Sequence, residues 1–235
     1  MKIEIWSDIM CPFCYIGKRN FEAALEQFAD KDKIEVEWKS FQLDPTIPEV
    51  AEESQEDYLV KRKGMSKEQV QGMLANVTQM AKQVGLEYHL DKSVMVNSQK
   101  AHQLIQFAKT KNLGDQIEER LFKAFFTEGK NIADIETLTQ LGVDVGLEKD
   151  ELQAAFTDDQ YRYQMSQDIQ EGQQLGVRGV PFFVFDRKYG ISGAQPSEAF
   201  LDTLSKSFTE WKAANPEVKL QMSQGQSCDT QGNCE

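Results

Sequence analysis

Lys2-Ile3-Glu4-Ile5-Trp6-Ser7 runs straight into Asp8-Ile9-Met10-Cys11-Pro12-Phe13-Cys14-Tyr15-Ile16-Gly17-Lys18. The first six residues are short and β-prone. Beyond the cysteines, Ile16, Asn20, Phe21, Ala24, Leu25 and Phe28 fall at helical spacing. The stretch therefore reads strand, turn, helix, with Cys11 and Cys14 at the junction. Ile34, Val36 and Trp38 then alternate with Glu35, Glu37 and Lys39, the period of two expected of a strand with one face buried. A βαβ opening follows.

Outward from this opening the pattern changes at Asp44, where Pro45 and Pro48 break the chain before a long stretch of helical periodicity with no convincing strand. Val70, Met73, Leu74, Val77, Met80, Ala81 and Val84 step by three and four, as one apolar helix face does. Further helices are predicted around Ala101, Leu104, Ile105 and Ala108, around Ile117, Leu121 and Phe125, around Ile135, Leu138 and Leu141, and around Tyr161, Met165 and Ile169. Met65, Met73 and Met80 read as core filler. Strand character returns at Phe182-Phe183-Val184-Phe185, an apolar run suited to a strand covered on both faces, with Tyr189 to Ser192 as its hairpin partner. Pro196 opens a last amphipathic helix through Phe200, Leu201, Leu204, Phe208 and Trp211. The expected division is a core in two halves, 1–43 and 176–215, an inserted helical domain at 44–175, and a polar, mobile tail at 216–235.

With 235 residues, 40% hydrophobic and 27% charged, the chain has the balance of a packed globular protein and not of a disordered one. A formal charge of −12 repels polyanions, which argues against nucleic acid and anionic membranes as partners. No run approaches the roughly 18 apolar residues of a membrane span, and Met1 stands directly before the first strand, so the expected location is cytoplasmic. Four cysteines, two at each end, are too few and too uneven for a disulfide framework; they read as chemistry.

A thiolate, not a thiol, attacks a disulfide, and a helix N-terminus favours the anion through its unpaired N–H groups and its dipole. Pro12 suits the first helical turn because its missing N–H is not needed there. Cys11 is therefore expected to be the nucleophile. Cys14, one helical turn on, is expected to be the resolving thiol that attacks Cys11 from within the protein. The bland alternative is half of a structural zinc site completed by Cys228 and Cys234 or by His89 and His102. A strand-to-helix junction with Pro12 between the cysteines is a poor zinc knuckle. No metal and no cofactor is assigned.

The segment Ser7 to Lys18 resembles the active-site signature of DsbA-like thioredoxin-superfamily oxidoreductases, in particular their FrnE-like branch, which is related to 2-hydroxychromene-2-carboxylate isomerases. Gly176-Val177-Arg178-Gly179-Val180-Pro181-Phe182-Phe183-Val184-Phe185 resembles the family's cis-proline loop, and Ile191-Ser192-Gly193-Ala194-Gln195-Pro196 its following hairpin and helix. The resemblance implies an α/β thioredoxin fold with an inserted α-helical domain. It implies that Pro181, preceded by a cis peptide, faces the cysteines and leaves the Val180 backbone to hydrogen-bond an extended substrate, with Pro12 and Phe13 shaping the site. It extends more weakly to Asn97, Ser98 and His102, as a segment lining a groove. A lone histidine on a helix, such as His102, is more often a satisfied structural residue than a catalyst.

The resemblance implies disulfide exchange, as oxidoreductase or isomerase, with protein or peptide thiols and disulfides, and glutathione as a further partner. Relatives that act as glutathione-dependent isomerases or transferases on aromatic substrates replace the resolving cysteine, so keeping both Cys11 and Cys14 favours redox cycling. A noncatalytic chaperone using the groove is the third alternative. Phe13 stands where strong periplasmic oxidants carry histidine, which implies a moderate potential. Cys228 and Cys234 bracket a turn-prone loop; an auxiliary redox pair like that attributed to some FrnE-like proteins, a structural clip, and a tail of no consequence all remain open.

Overall fold

The computed structural model describes residues 1–50 and 53–216; Cys228 and Cys234, and the tail from 217 on that the sequence marks as mobile, lie outside the described residues. Strand β1 (Lys2–Ser7) leads through the cysteine segment into α1 (Pro12–Gln27), and β2 (Glu35–Ser40) returns parallel to β1, with Ile3 beside Val36 and Ile5 beside Trp38. Next come β3 (Glu53–Ser54), α2 (Gln55–Lys63), α3 (Lys67–Gln83), β4 (Val94–Met95), α4 (Gln99–Thr110), α5 (Gly114–Phe126), α6 (Ile135–Asp144), α7 (Lys149–Thr157) and α8 (Asp159–Gln174). The chain closes with β5 (Phe182–Phe185), β6 (Tyr189–Ser192) and α9 (Ser197–Ala214). Local chemistry sets several of these boundaries. The Ser54 hydroxyl caps α2, which ends at Gly64 in the left-handed region, and Ser66 with Gln69 forms a capping box on α3.

The main sheet has the order β2-β1-β5-β6, with β5 antiparallel to both β1 and β6. One face carries Ile3, Ile5, Phe183 and Phe185 against Phe21 of α1 and Phe200, Leu204 and Phe208 of α9. The rings of Phe183 and Phe200 meet edge to face with centroids 4.6 Å apart. On the other face Trp6 and Val184 pack with Val177. The indole N–H of Trp6 donates to the Asp168 carbonyl of α8 at 2.7 Å. A four-stranded sheet of this order, covered on both sides and interrupted in sequence by α2 to α8, is an α/β thioredoxin fold with an inserted α-helical domain.

Three details depart from the periodicity. Helices α2 and α7 and the two-residue ladder between β3 and β4 carry no periodic signal, being too short or too polar to generate one. Met80, read as core filler, is exposed, and Met73 lines a cavity. The charged face of β2, expected to meet water, is partly covered by the insert: Glu35 stays exposed, while Glu37 and Lys39 are half-buried. Lys39 Nζ lies 3.1 Å from Glu37 and 3.2 Å from both Asp168 and Glu171, while Lys109 reaches Glu37 at 3.0 Å. Charges can sit beneath helices only if they are paired. Asp168 completes the layer by accepting from the Ser40 amide at 3.0 Å and from Gln106 Nε2 at 2.5 Å.

Gly172 is where α8 comes nearest to β1: a Cβ there would lie 2.6 Å from Nε1 of Trp6, which is itself fully buried. Gly172→Ala should therefore destabilise the protein by about 1–3 kcal/mol, as overpacking does. Urea denaturation of the variant and the parent at one pH checks this, with a lower midpoint expected at unchanged slope.

Candidate active site

Cys11 is the N-cap residue of α1 and Pro12 its first helical residue. The Cys11 amide donates to the Asp8 carbonyl at 2.9 Å and the Cys14 amide to the Cys11 carbonyl at 3.0 Å, so the strand turns into the helix within four residues. Both cysteines are free and buried. They are not equivalent: Cys11 forms part of a cavity wall, whereas Cys14 does not. The Cys11 thiol points at the Val180 carbonyl, 3.4 Å away. Burial pushes the Cys14 thiol well above its ordinary pKa, with the neighbouring Cys11 adding to the shift and the Asp8 backbone and Ser7 hydroxyl opposing it.

The loop before β5 faces this pair. The Val180–Pro181 peptide is cis, and the Pro181 carbonyl accepts from the Gly193 amide at 2.9 Å, which extends the β5–β6 hairpin into the loop. The Pro181 ring occupies the space beside Gly17, where a Cβ would stand 3.0 Å from the proline Cγ. A side chain there would be tight against the proline, which would have to give by a few tenths of an ångström. Cys11, Cys14, Pro12, Phe13, Val180 and Pro181 are thus brought together from positions about 170 residues apart, and the Phe13 ring is exposed beside the cavity. The cavity, about 340 Å³, lies between Cys11, the segment around Leu43 to Ile47, α2 and α3.

The other sequence candidates sit differently. Asn97, Ser98 and His102 do not line this cavity. Asn97 fastens one of its walls: Nδ2 donates to the carbonyls of Pro45 (3.1 Å) and Ile47 (2.9 Å), and Oδ1 accepts from Gln42 at 2.8 Å. His102 lies against Asp8 of the cysteine turn and, with Ser7, acts on Glu118, all of them buried, while Ser98 is buried at the start of α4. His102 Nε2 is 3.5 Å from Asp8 Oδ1, and Asp8 holds the cavity segment by accepting from the Leu43 amide at 2.8 Å. Both His102 nitrogens and the Ser98 hydroxyl are buried without a protein hydrogen-bond partner. Burial raises the Glu118 carboxyl from about 4.5 to about 7, against the pull of His102, Ser7 and Lys18.

Two residues of the site carry no sequence signal. Tyr88 donates its hydroxyl to the Pro12 carbonyl at 2.8 Å, and burial, with the two cysteines adding, raises its pKa. Glu118, in the charged run Glu118-Glu119-Arg120, looks like a surface residue until α4 and α5 are docked. The aromatic residues around them could have hinted at a stack: Tyr88 lies on Phe126 with ring centroids 4.7 Å apart, and Tyr15 on Phe122 at 4.9 Å.

A thioredoxin fold with a paired-cysteine helix start facing a proline loop defines the class of DsbA-like thioredoxin-superfamily proteins. The chain matches the DSBA-like thioredoxin domain over residues 2–205 and belongs to that family. It is 31% identical over 208 residues to the uncharacterized protein YwbO of Bacillus subtilis (strain 168), covering 86% of this chain and 95% of that one. Among solved structures it resembles a probable DsbA oxidoreductase from Streptomyces coelicolor at 34% identity and a TM-score of 0.85, covering 100% of this chain and 98% of the other. The cytosolic disulfide reductase DsbM from Pseudomonas aeruginosa shares the fold, with 15% identity, a TM-score of 0.60, and coverage of 92% and 98%. Among the described residues no helix is long and apolar enough to cross a membrane.

A carboxyl whose pKa is raised by folding binds its proton more tightly in the folded state, so its contribution weakens the fold as pH rises from about 4.5 and levels off above about 7. The shift corresponds to about 3 kcal/mol at most. Glu118→Gln should remove this part of the pH dependence and gain stability at pH 8 relative to pH 5. Chemical denaturation of both proteins at the two pH values measures it.

Proposed function

We propose that this protein is a thiol–disulfide oxidoreductase acting on protein or peptide disulfides, with Cys11 as nucleophile and Cys14 as resolving thiol. The observation that carries the assignment is the difference between the two thiols. Cys11 borders the cavity and points at Val180, while Cys14 is held behind it as a thiol by burial. In the reducing direction the Cys11 thiolate attacks one sulfur of the substrate disulfide, that bond breaks, and the other substrate sulfur leaves as a thiolate and takes up a proton. Cys14 then loses its proton and attacks Sγ of Cys11, which releases the second substrate thiol and leaves a Cys11–Cys14 disulfide. Two electrons have passed to the substrate; an external dithiol returns them. Ser7 bears on both the Cys14 thiol and the Glu118 carboxyl, and a buried carboxyl raised to about 7 suits acceptance of the Cys14 proton by way of Ser7.

Pro12, Phe13, Val180 and Pro181 shape the site. The cis peptide leaves the Val180 backbone beside Cys11, where an extended substrate would run. Asn97 and His102 support the cavity and the cysteine turn from behind. The division into 1–43, 44–175 and 176–215 belongs to the same proposal, since the first and last supply the sheet and the middle one the outer cavity wall. We place the protein in the FrnE-like branch on its Ser7 to Lys18 segment, with Cys228 and Cys234 as its auxiliary pair. In the cytosol the pair would stand mostly reduced, suiting a reductase or isomerase.

Reduction of insulin disulfides by dithiothreitol tests the assignment. Wild type should accelerate precipitation, Cys11→Ser should abolish the acceleration, and Cys14→Ser should accumulate protein–insulin mixed disulfides on non-reducing gels. A wild type without activity, or a fully active Cys11→Ser variant, overturns it. Slowed turnover in the Cys228→Ser, Cys234→Ser double variant is the outcome expected of an auxiliary pair.

A further inference from the structure

Tyr88 stands between α3 and β4, and its hydroxyl reaches the cysteine turn from the insert, donating to the Pro12 carbonyl at 2.8 Å. Its mounting is stiff. The Glu87 carbonyl accepts from the Thr127 hydroxyl at 2.6 Å and the His89 amide donates to the Phe126 carbonyl at 2.7 Å, so both chain neighbours of Tyr88 are tied to the end of α5. The ring is buried and stacked on Phe126, with the Tyr15 ring 6.2 Å away. Burial and the nearby cysteines hold the hydroxyl in its protonated form, so it serves as a donor.

The carbonyl it meets is a particular one. Pro12 is the first residue of α1, and a carbonyl there already serves the helix amide one turn on, so Tyr88 is a second donor to it. The other end of the same peptide group is the Phe13 amide, which has no partner within the helix. An N-cap side chain accepts from the second or third helical amide. Cys11 is the N-cap, in extended conformation, and the third amide, that of Cys14, is bonded to the Cys11 carbonyl instead at 3.0 Å. The second amide, that of Phe13, is the one left for the sulfur. As a thiol, Cys11 donates to the Val180 carbonyl; as a thiolate it has no proton to give and becomes an acceptor.

We infer that Tyr88 is a positioning residue of the redox reaction: by donating into the carbonyl end of the Pro12–Phe13 peptide it strengthens the amide end as a donor to the Cys11 thiolate, and so stabilises the reduced protein. The inference rests on the proposed disulfide exchange at Cys11 and adds to it a group that sets the direction of that exchange. Hydrogen bonds in a chain polarise one another, by roughly 10–30% each. A donor mounted rigidly needs no rearrangement when the charge on the sulfur appears. A phenol that merely satisfied itself on this carbonyl would leave the cysteine equilibrium where it is.

The test equilibrates the full-length protein with buffers of reduced and oxidised glutathione and reads the fraction of Cys11–Cys14 disulfide after acid quenching and thiol alkylation. Tyr88→Phe keeps the ring stack and loses the hydroxyl. Its equilibrium constant should move about three-fold toward the disulfide, a potential about 14 mV more negative. Tyr88→fluorotyrosine, a stronger donor of nearly the same size, should move it the other way. Gly172→Ala, which crowds Trp6 on the face of the sheet opposite α1, should lose stability and leave the constant unchanged, which separates the effect from a general loosening of the fold. A wild-type constant in Tyr88→Phe, or a fluorotyrosine shift that is absent or of the same sign as that of Tyr88→Phe, overturns the role of Tyr88 and leaves the exchange at Cys11 intact. If circular dichroism shows Tyr88→Phe unfolded, the fluorotyrosine variant decides alone: a shift toward the dithiol supports the role, and any other result overturns it. If no glutathione buffer oxidises the pair and insulin is not reduced, the exchange reaction and the role of Tyr88 fall together.

Discussion

The contact between the Pro181 ring and the bare backbone of Gly17 is the constraint around which the molecule is arranged. It joins the first helix to the loop before the third strand of the sheet, and so brings the two sequence-distant halves of the core to one point. With the ring seated there, the Val180 carbonyl comes within 3.4 Å of the Cys11 thiol. A Cβ at position 17 would stand 3.0 Å from the proline Cγ and press the loop outward by a few tenths of an ångström. Tyr88 bears on the same point from the insert, with its hydroxyl on the Pro12 carbonyl.

Charge sets the seat of the insert on the opposite side of the sheet. Lys39 and Lys109 lie among Glu37, Asp168 and Glu171 in a layer where hydrophobic contact would be expected. Pairs of this kind contribute little net stability when desolvation is counted, but each fixes the position of its partner, because an uncompensated charge there is costly. Trp6 and Gly172 add a steric fit that apolar packing alone would not impose. Helices α4 and α8 are thereby held in register with a sheet they are not part of.

The alternation in Ile34, Val36 and Trp38 and the apolar run Phe182 to Phe185 were enough to place the core strands, and the cysteine spacing was enough to place Cys11 and Cys14 at a helix start. These are local signals, each decided within a few residues. Helix α2 was not legible: its apolar residues Tyr58, Leu59 and Val60 are consecutive, so they define no face, and its one well-buried side chain is the polar Gln55. The face of β2 was misjudged because alternation reports only which residues are polar, not whether helices from 60 and 130 residues away will cover them. Glu118 and Tyr88 escaped for a related reason. Their chemistry comes from burial among neighbours on other elements, and a side chain's composition does not carry its surroundings. Asn97 and His102 were singled out as groove residues, and both are found a layer behind the cavity.

The cavity is built from two sources, and this has a consequence for how such a protein can diverge. Its inner wall is the cysteine turn and Val180, whose positions are fixed by the sheet; its outer wall is α2 and α3, with β3 just ahead of α2 paired to β4, and the segment from Leu43 to Ile47 beside them is held by Asn97. Replacements at Tyr58, Leu59 or Met73 would reshape the cavity without moving the Cys11 sulfur. The outer wall can therefore diverge while the cysteine turn and the proline loop are inherited unaltered.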